Sequence, residues 1–245
     1  MSQYYPESDN VVINNGEKVS SGALSFAKVF LYMFIGLAIT TVVAFTVGGI
    51  NVAAINNGAD ENLVASVYLG LLIASAISLF ILMLIIQFVS LRGKHSILVP
   101  AILYATVMGV LLSSFALFID WRILGTAFGI TSGVFLLMTL IAWVTKGNLS
   151  PLLTLGMGLF IGALILSLVN WLIGSEMIMW IVSFVIFAAI MFITMFDIWN
   201  IKKIAEKGAM SNNLALYCAF TLYVDFIYIL IRVIYFLLII FASKK

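Results

Sequence analysis

The chain has 245 residues, of which 64% are hydrophobic and 9% are charged. A soluble domain carries about 25% charged residues, so the composition excludes a soluble globular fold and predicts an all-α polytopic membrane protein. The net charge of +2 gives no reason to expect nucleic-acid binding. Cys218 is the only cysteine and His95 the only histidine, which excludes an intrachain disulfide, a CxxC site and a multi-histidine metal site.

Residues 1–25 are polar and carry both charge signs, so we interpret them as a flexible cytoplasmic tail before a transmembrane domain at 26–245. No pattern typical of a cleaved signal peptide occurs there. Seven apolar segments follow, and a helix of about 20 residues covers the hydrocarbon core of roughly 30 Å. The predicted spans are 26–47, 64–89, 97–119, 123–144, 151–173, 177–199 and 214–241.

The distribution of Lys and Arg between the loops predicts the orientation, because cytoplasmic loops carry the excess of these residues. One set of loops contains Lys18, Lys28, Arg92, Lys94, Lys146, Lys202, Lys203 and Lys207. The other set contains Arg122, Lys244 and Lys245, together with Asp60, Glu61, Asp120 and Glu176. We therefore predict a cytoplasmic N-terminus and, with seven crossings, an outside C-terminus. Lys244 and Lys245 count against this, and a seventh segment that re-enters the cytoplasm is the alternative.

Small residues at four-residue spacing predict faces where helix backbones approach closely. The fourth span carries Gly125, Gly129 and Gly133, and the fifth carries Gly158 and Gly162. We interpret both sets as packing faces, without a binding site.

Asp197 and Asp225 lie in or near the last two apolar segments. A charge in hydrocarbon costs roughly 2.5–3.5 kcal/mol on insertion scales, so both are candidate functional residues. The seventh span is longer than the core is thick, and if the excess protrudes into the cytoplasm, Asp225 reaches the depth of Asp197. Two adjacent carboxylates in a low dielectric cannot both ionise cheaply, so such a pair would share a proton. It would serve as a proton sensor or a calcium site, since carboxylate oxygens suit calcium.

The alternative interpretation of the two aspartates is structural. Asp197 would then cap the interfacial end of its helix, and Asp225 would pair with Arg232, two turns further along the same helix face. Arg232 is in either case a candidate charge partner, because a lipid-facing arginine is improbable.

Three segments of the second half together resemble the Bax inhibitor-1 family, also called the transmembrane Bax inhibitor motif family. They are AFGITSGVFLLMTLIAWVTKGNLSPLLTLGMGLFIGALILSLVN, MFDIWNIKKIAEKG and LALYCAFTLYVDFIYILIR. The Tyr-Asp of the family's sixth span is matched by Phe196-Asp197, without the tyrosine hydroxyl. Its Leu-Tyr-Leu-Asp-Phe in the seventh is matched by LYVDF at 222–226. The order and spacing of these motifs make the match specific.

The resemblance implies a bundle of seven transmembrane helices, six around a central seventh, and a pH-sensitive calcium leak channel. It implies that Asp197 and Asp225 form the sensor and that Arg92, at the end of the second span, latches the closed state. Calcium would be the transported ion, with protons as the signal and no cofactor or enzymatic activity. The short tail and compact loops favour a bacterial plasma membrane, and apart from the lipid bilayer the sequence identifies no partner.

Two other functions compete with the channel. An intramembrane aspartyl protease also needs two aspartates on adjacent spans, but the Gly-x-Gly-Asp and Pro-Ala-Leu patterns that such enzymes carry are missing here. A non-conducting protein that regulates another membrane complex is the stronger alternative.

Overall fold

The computed structural model describes residues 13–14, 17–18, 21–92, 96–208 and 210–242, without the side chains at 13, 14, 17, 18, 21, 91, 92, 116–118 and 242. Seven helices account for almost all of this, and each is long and apolar enough to cross a membrane. They are α1 Ser21–Asn56, α2 Glu61–Arg92, α3 Leu98–Phe118, α4 Trp121–Val144, α5 Ser150–Ile173, α6 Glu176–Glu206 and α7 Asn212–Ala242. The predicted fold class, an all-α membrane protein with seven spans, is confirmed.

The N-terminal region differs from the predicted flexible tail at 1–25. Helix α1 begins at Ser21, five residues before the predicted domain boundary. Two short strands precede it, β1 Ile13–Asn14 and β2 Glu17–Lys18, which pair antiparallel. The remainder of the predicted tail lies outside the described residues.

Helix α7 occupies the centre of the bundle. Side chains on all sides of its middle section are buried, including Leu222, Tyr223, Phe226, Ile227 and Ile229. A helix surrounded on all sides by protein does not expose its polar residues to lipid, and this is where ionisable residues inside membranes are normally tolerated. The central position therefore explains how α7 can carry an aspartate in mid-helix.

The surrounding layer is less regular than six helices around a seventh. Helices α1, α2, α3, α4 and α6 all pack against α7, but α5 packs only against α6 among the described helices. The contact of α5 uses small residues: a Cβ placed on Gly156 would lie 2.8 Å from Ile193 Cγ1 and 3.0 Å from the Ala189 carbonyl oxygen. Ala163, two turns further along, is fully buried on the same face. Helix α5 is thus held in the bundle through α6, without direct contact with α7 among the described residues.

The predicted glycine faces are also wrong. A Cβ placed on Gly125, Gly129, Gly133, Gly158 or Gly162 would meet no described atom within 4 Å. The close approaches occur elsewhere, at Gly22 against the Ala205 carbonyl, at Gly36 against Tyr223 and at Gly109 against Thr40 and Val43. Spacing of four residues marks one side of a helix, but it does not tell whether that side faces protein or lipid.

The orientation remains a prediction that labelling can test. In a Cys218→Ala background, a cysteine at Asn57 in the α1–α2 loop is expected to react with a membrane-impermeant maleimide added from outside, since the loops rich in Lys and Arg stay inside. A cysteine at Asn148, in the α4–α5 loop, is the matched control and is expected to react only after permeabilisation. The reverse pattern at the two positions would contradict the predicted orientation.

Candidate functional site

Asp225 lies in the buried middle section of α7. Only 8% of its surface is exposed, and its Oδ2 atom has no hydrogen-bond partner among the described residues. Buried polar atoms nearly always have a partner, so each exception calls for an explanation. A carboxyl group held in this way points to a role other than packing.

Asp197 faces Asp225 from the C-terminal half of α6, and it is partly buried. The two carboxyl groups are close enough to interact electrostatically, and Thr194, one turn before Asp197, also lies against Asp225. Asp197 is within electrostatic range of Cys218, which precedes Asp225 by two turns on α7. The structure therefore brings together the two aspartates that the sequence singled out.

A hydrogen bond between two carboxyl groups needs a proton on one of them, because an ionised carboxylate can only accept. Two neighbouring carboxyl groups can therefore form such a bond only when the pair holds at least one proton. Two ionised carboxylates at this distance and depth would repel each other strongly. The interaction between the two carboxyl groups therefore depends on how many protons the pair holds.

Arg232 does not join the pair. It is half-buried on α7, and among the described residues it forms neither an ion pair nor a hydrogen bond, with Tyr235 as its electrostatic neighbour. Seven residues correspond to about 10 Å of helix rise, which separates its backbone from that of Asp225. The predicted pairing of Asp225 with Arg232 is therefore not observed.

Arg92 is the last residue of α2, as expected for a residue at the end of the second span. Its side chain lies outside the described part of the chain, and so do His95 and the basic residues Lys94, Lys244 and Lys245. The assignment of Arg92 as a latch stays a prediction.

A second polar cluster, which the sequence did not predict, ties three helices together. The Thr40 hydroxyl on α1 lies 2.7 Å from the Tyr223 hydroxyl on α7 and donates to backbone carbonyls, with 3.0 Å to Ala105 on α3. This is possible because Gly36 and Gly109 let α1 approach both neighbours closely. Tyr223 stands two residues before Asp225, so the cluster helps to fix the helix that carries the aspartate.

The C-terminal end of α6 is held against the end of α4 and the α4–α5 loop. Trp199 Nε1 donates to the Gly147 carbonyl at 3.0 Å, and Lys202 Nζ donates to the Trp143 carbonyl. Lys202 also lies 3.8 Å from Glu206 in an ion pair. These contacts begin only two residues after Asp197, so they fix α6 on the C-terminal side of that aspartate.

The described residues contain no group of three or more His, Cys, Asp or Glu side chains close enough to hold a metal ion. Asp197 and Asp225 alone offer at most four carboxyl oxygens, whereas calcium takes six to eight oxygen ligands. Any calcium ion at the pair would keep water or take oxygens from other groups.

Comparison with known proteins decides the family. A model of the family described as inhibitor of apoptosis-promoting Bax1 matches residues 23–243, almost the whole chain. The chain belongs to this family. The resemblance found in the second half therefore extends to the first three spans as well.

Relatives of this Bax inhibitor-1 family member occur in distant bacteria. Inner membrane protein YbhL of Escherichia coli is 30% identical over 229 residues, which cover 91% of this chain and 93% of that protein. An uncharacterized protein of Borreliella burgdorferi is 29% identical over 86% of this chain and 90% of its own length. An uncharacterized protein of Deinococcus radiodurans is 27% identical over 82% of this chain and 84% of its own length. No solved structure matches the chain.

Proposed function

We propose that the protein is a pH-sensitive calcium leak channel, gated by the proton shared between Asp197 and Asp225. The observation that carries the proposal is the contact between these two carboxyl groups across α6 and α7, with Asp225 almost fully buried. A structural pair would be expected to have all its oxygens hydrogen-bonded, whereas Asp225 Oδ2 has no partner among the described residues.

The two carboxyl groups would bind an ion weakly, which suits conduction better than tight binding. A channel needs sites that bind the ion strongly enough for it to enter and weakly enough for it to leave. Two carboxyl groups without further acidic ligands among the described residues provide a weak site for calcium, which would keep part of its water shell. Calcium is thus proposed as the transported ion, and a transport role is favoured over an enzymatic one.

The membrane that we propose is a bacterial plasma membrane. The similar protein YbhL is named an inner membrane protein of Escherichia coli, and the relatives from Borreliella burgdorferi and Deinococcus radiodurans are bacterial too. In that setting the cytoplasmic ends of α6 and α7 would place the pair nearer to the cytoplasm, where it would respond to cytoplasmic acidification.

Flux through the purified protein tests the proposal. The protein is reconstituted into liposomes that contain a calcium-sensitive dye, and calcium entry is measured between pH 6 and pH 8, with empty liposomes as the control. Entry that requires the protein and increases with acidity is the expected result. Absence of entry at every pH would support the non-conducting regulator of another complex instead.

The latch hypothesis makes a separate prediction about Arg92. A guanidinium near the pair can hold α2 against α6 by a charge-assisted hydrogen bond while one aspartate is ionised, and protonation removes the attraction. Arg92→Ala is therefore expected to raise calcium entry at neutral pH and to flatten its response to acid. A typical coupling of about 1–3 kcal/mol corresponds to a change of about 5–150-fold.

Two controls accompany this variant in the same liposome assay. Lys207→Ala removes an exposed basic side chain from the end of α6 and should leave the pH response unchanged. Arg232→Ala should lower expression or thermal stability instead, since it removes a half-buried group from the central helix. If Arg92→Ala conducts calcium like the wild type across pH 6–8, the latch assignment is wrong and Arg92 only marks the orientation of the chain in the membrane.

A further inference from the structure

A cavity of about 380 Å³ opens between α1 and α4 in the predicted outer half of the bundle, with α3 and α7 as its other walls. Helix α1 and helix α4 touch nearer the cytoplasm, where Phe26 packs on Trp143 and Phe30 on Phe135. Their backbones do not pack directly against each other in the described part of the chain. The cavity lies in the space between them.

The walls of the cavity are mostly apolar, and their hydroxyl groups are already hydrogen-bonded. Thr40 and Thr41 are its two hydroxyl-bearing residues, and both hydroxyls donate to backbone carbonyls within the protein. The remaining lining consists of aliphatic and aromatic side chains and Gly125. A cavity lined almost entirely by apolar groups does not hold ordered water well and accepts apolar ligands instead.

The cavity is open to the membrane on one side. Phe45, Phe128 and Trp121 line it and are exposed by 59%, 46% and 74% of their surfaces. These exposed rings lie on the lipid-facing surface, so the material nearest to the opening is an acyl chain of the bilayer. Unfilled apolar volume is unfavourable, and a lipid chain can fill it without any desolvation of polar groups.

A positive charge stands beside this opening. Arg122 follows Trp121 at the start of α4, and its guanidinium carbon lies 5.8 Å from the centre of the Trp121 ring. Asp120 precedes them, but its carboxylate accepts the backbone N–H of Arg122, and the described residues show no ion pair for this arginine. Arg122 is therefore free to bind an anionic group at the membrane surface, and arginine suits phosphate well.

We propose that this cavity is a binding site for an anionic phospholipid, with one acyl chain between α1 and α4 and the phosphate on Arg122. The bound chain would touch Phe226 and Ile227, which directly follow Asp225 on α7. Occupancy would thereby stabilise the position of the helix that carries the aspartate. The proposal is independent of calcium conduction, since it rests on the cavity and its charged opening.

Photo-crosslinking in liposomes tests the site. The probe is phosphatidylglycerol with a diazirine on one acyl chain, and mass spectrometry locates the labelled peptides. Enriched labelling of 37–45, 112–115 and 121–128 over the lipid-facing side of α5 is the expected result. Equal labelling of all lipid-facing helices would overturn the proposal.

Variants of α4 sharpen the experiment. Gly125→Phe places a ring in the cavity and should lower the cavity labelling about tenfold, the effect of a loss of 1.4 kcal/mol in binding. Gly129→Phe is the matched control, because this glycine is equally unobstructed but does not line the cavity, and it should label like wild type. Ala44→Phe fills the cavity from α1 and replaces Gly125→Phe if that variant does not fold. Unchanged labelling in the folded cavity variant would contradict the site.

Arg122→Gln separates a phospholipid from a free fatty acid. It should lower the labelling by the phosphatidylglycerol probe and leave labelling by a diazirine fatty acid unaffected. Equal labelling of the wild type and Arg122→Gln by the phosphatidylglycerol probe would overturn the proposal that Arg122 binds the phosphate.

Discussion

Replacing Asp197 or Asp225 with asparagine is expected to abolish or shift the pH dependence of calcium entry into liposomes. Asparagine keeps the size of the side chain but cannot ionise, so the remaining carboxyl group no longer shares a proton. In the wild type, acid protonates the pair and weakens its hold on any nearby guanidinium, so flux rises as pH falls. In either variant the ratio of flux at pH 6 to flux at pH 8 should approach one.

The double variant distinguishes a coupled pair from two independent groups. Because the carboxyl groups interact directly, replacing both should add little to the effect of the worse single change. Glu176→Gln is the matched control, since it removes an exposed carboxylate from the other end of the same helix. A wild-type pH profile in the double variant would exclude the pair as the sensor.

Gly109→Val is expected to destabilise the bundle more than a valine at a lipid-facing glycine. A Cβ at this position would lie 2.7 Å from both the Thr40 carbonyl oxygen and Val43 Cβ, so α1 and α3 would have to separate. Overpacking of this kind costs about 1–3 kcal/mol. Separation would also stretch the hydrogen bond from Thr40 to the Ala105 carbonyl and disturb the contact with Tyr223.

Thermal unfolding of the purified protein in detergent measures the effect. Gly129→Val is the matched control, because it changes the same residue type inside a helix where no described atom lies within 4 Å of a new Cβ. The control accounts for the helix propensity of valine. Equal unfolding midpoints for the two variants would show that the contact at Gly109 does not limit stability.

The seven spans and the two aspartates could be predicted from the amino-acid sequence alone. Both properties are local: a span is a matter of length and hydropathy, and an aspartate in an apolar segment stands out without knowledge of its neighbours. The excess length of α7 allowed Asp225 to reach the level of Asp197 if that excess protrudes into the cytoplasm. In the structure α6 and α7 place the two carboxyl groups within electrostatic range of each other.

Which face of each helix meets protein could be seen only once the helices were packed together. In a soluble helix, polar residues mark the exposed side. Here lipid-facing side chains are as apolar as buried ones, so the glycine spacing on α4 and α5 predicted contacts that do not exist. The close approach at Gly109, the cluster of Thr40 with Tyr223 and the peripheral place of α5 depend on how separate helices meet. Residues 40 and 223 are 183 positions apart, and nothing in the local pattern of either one specifies the other.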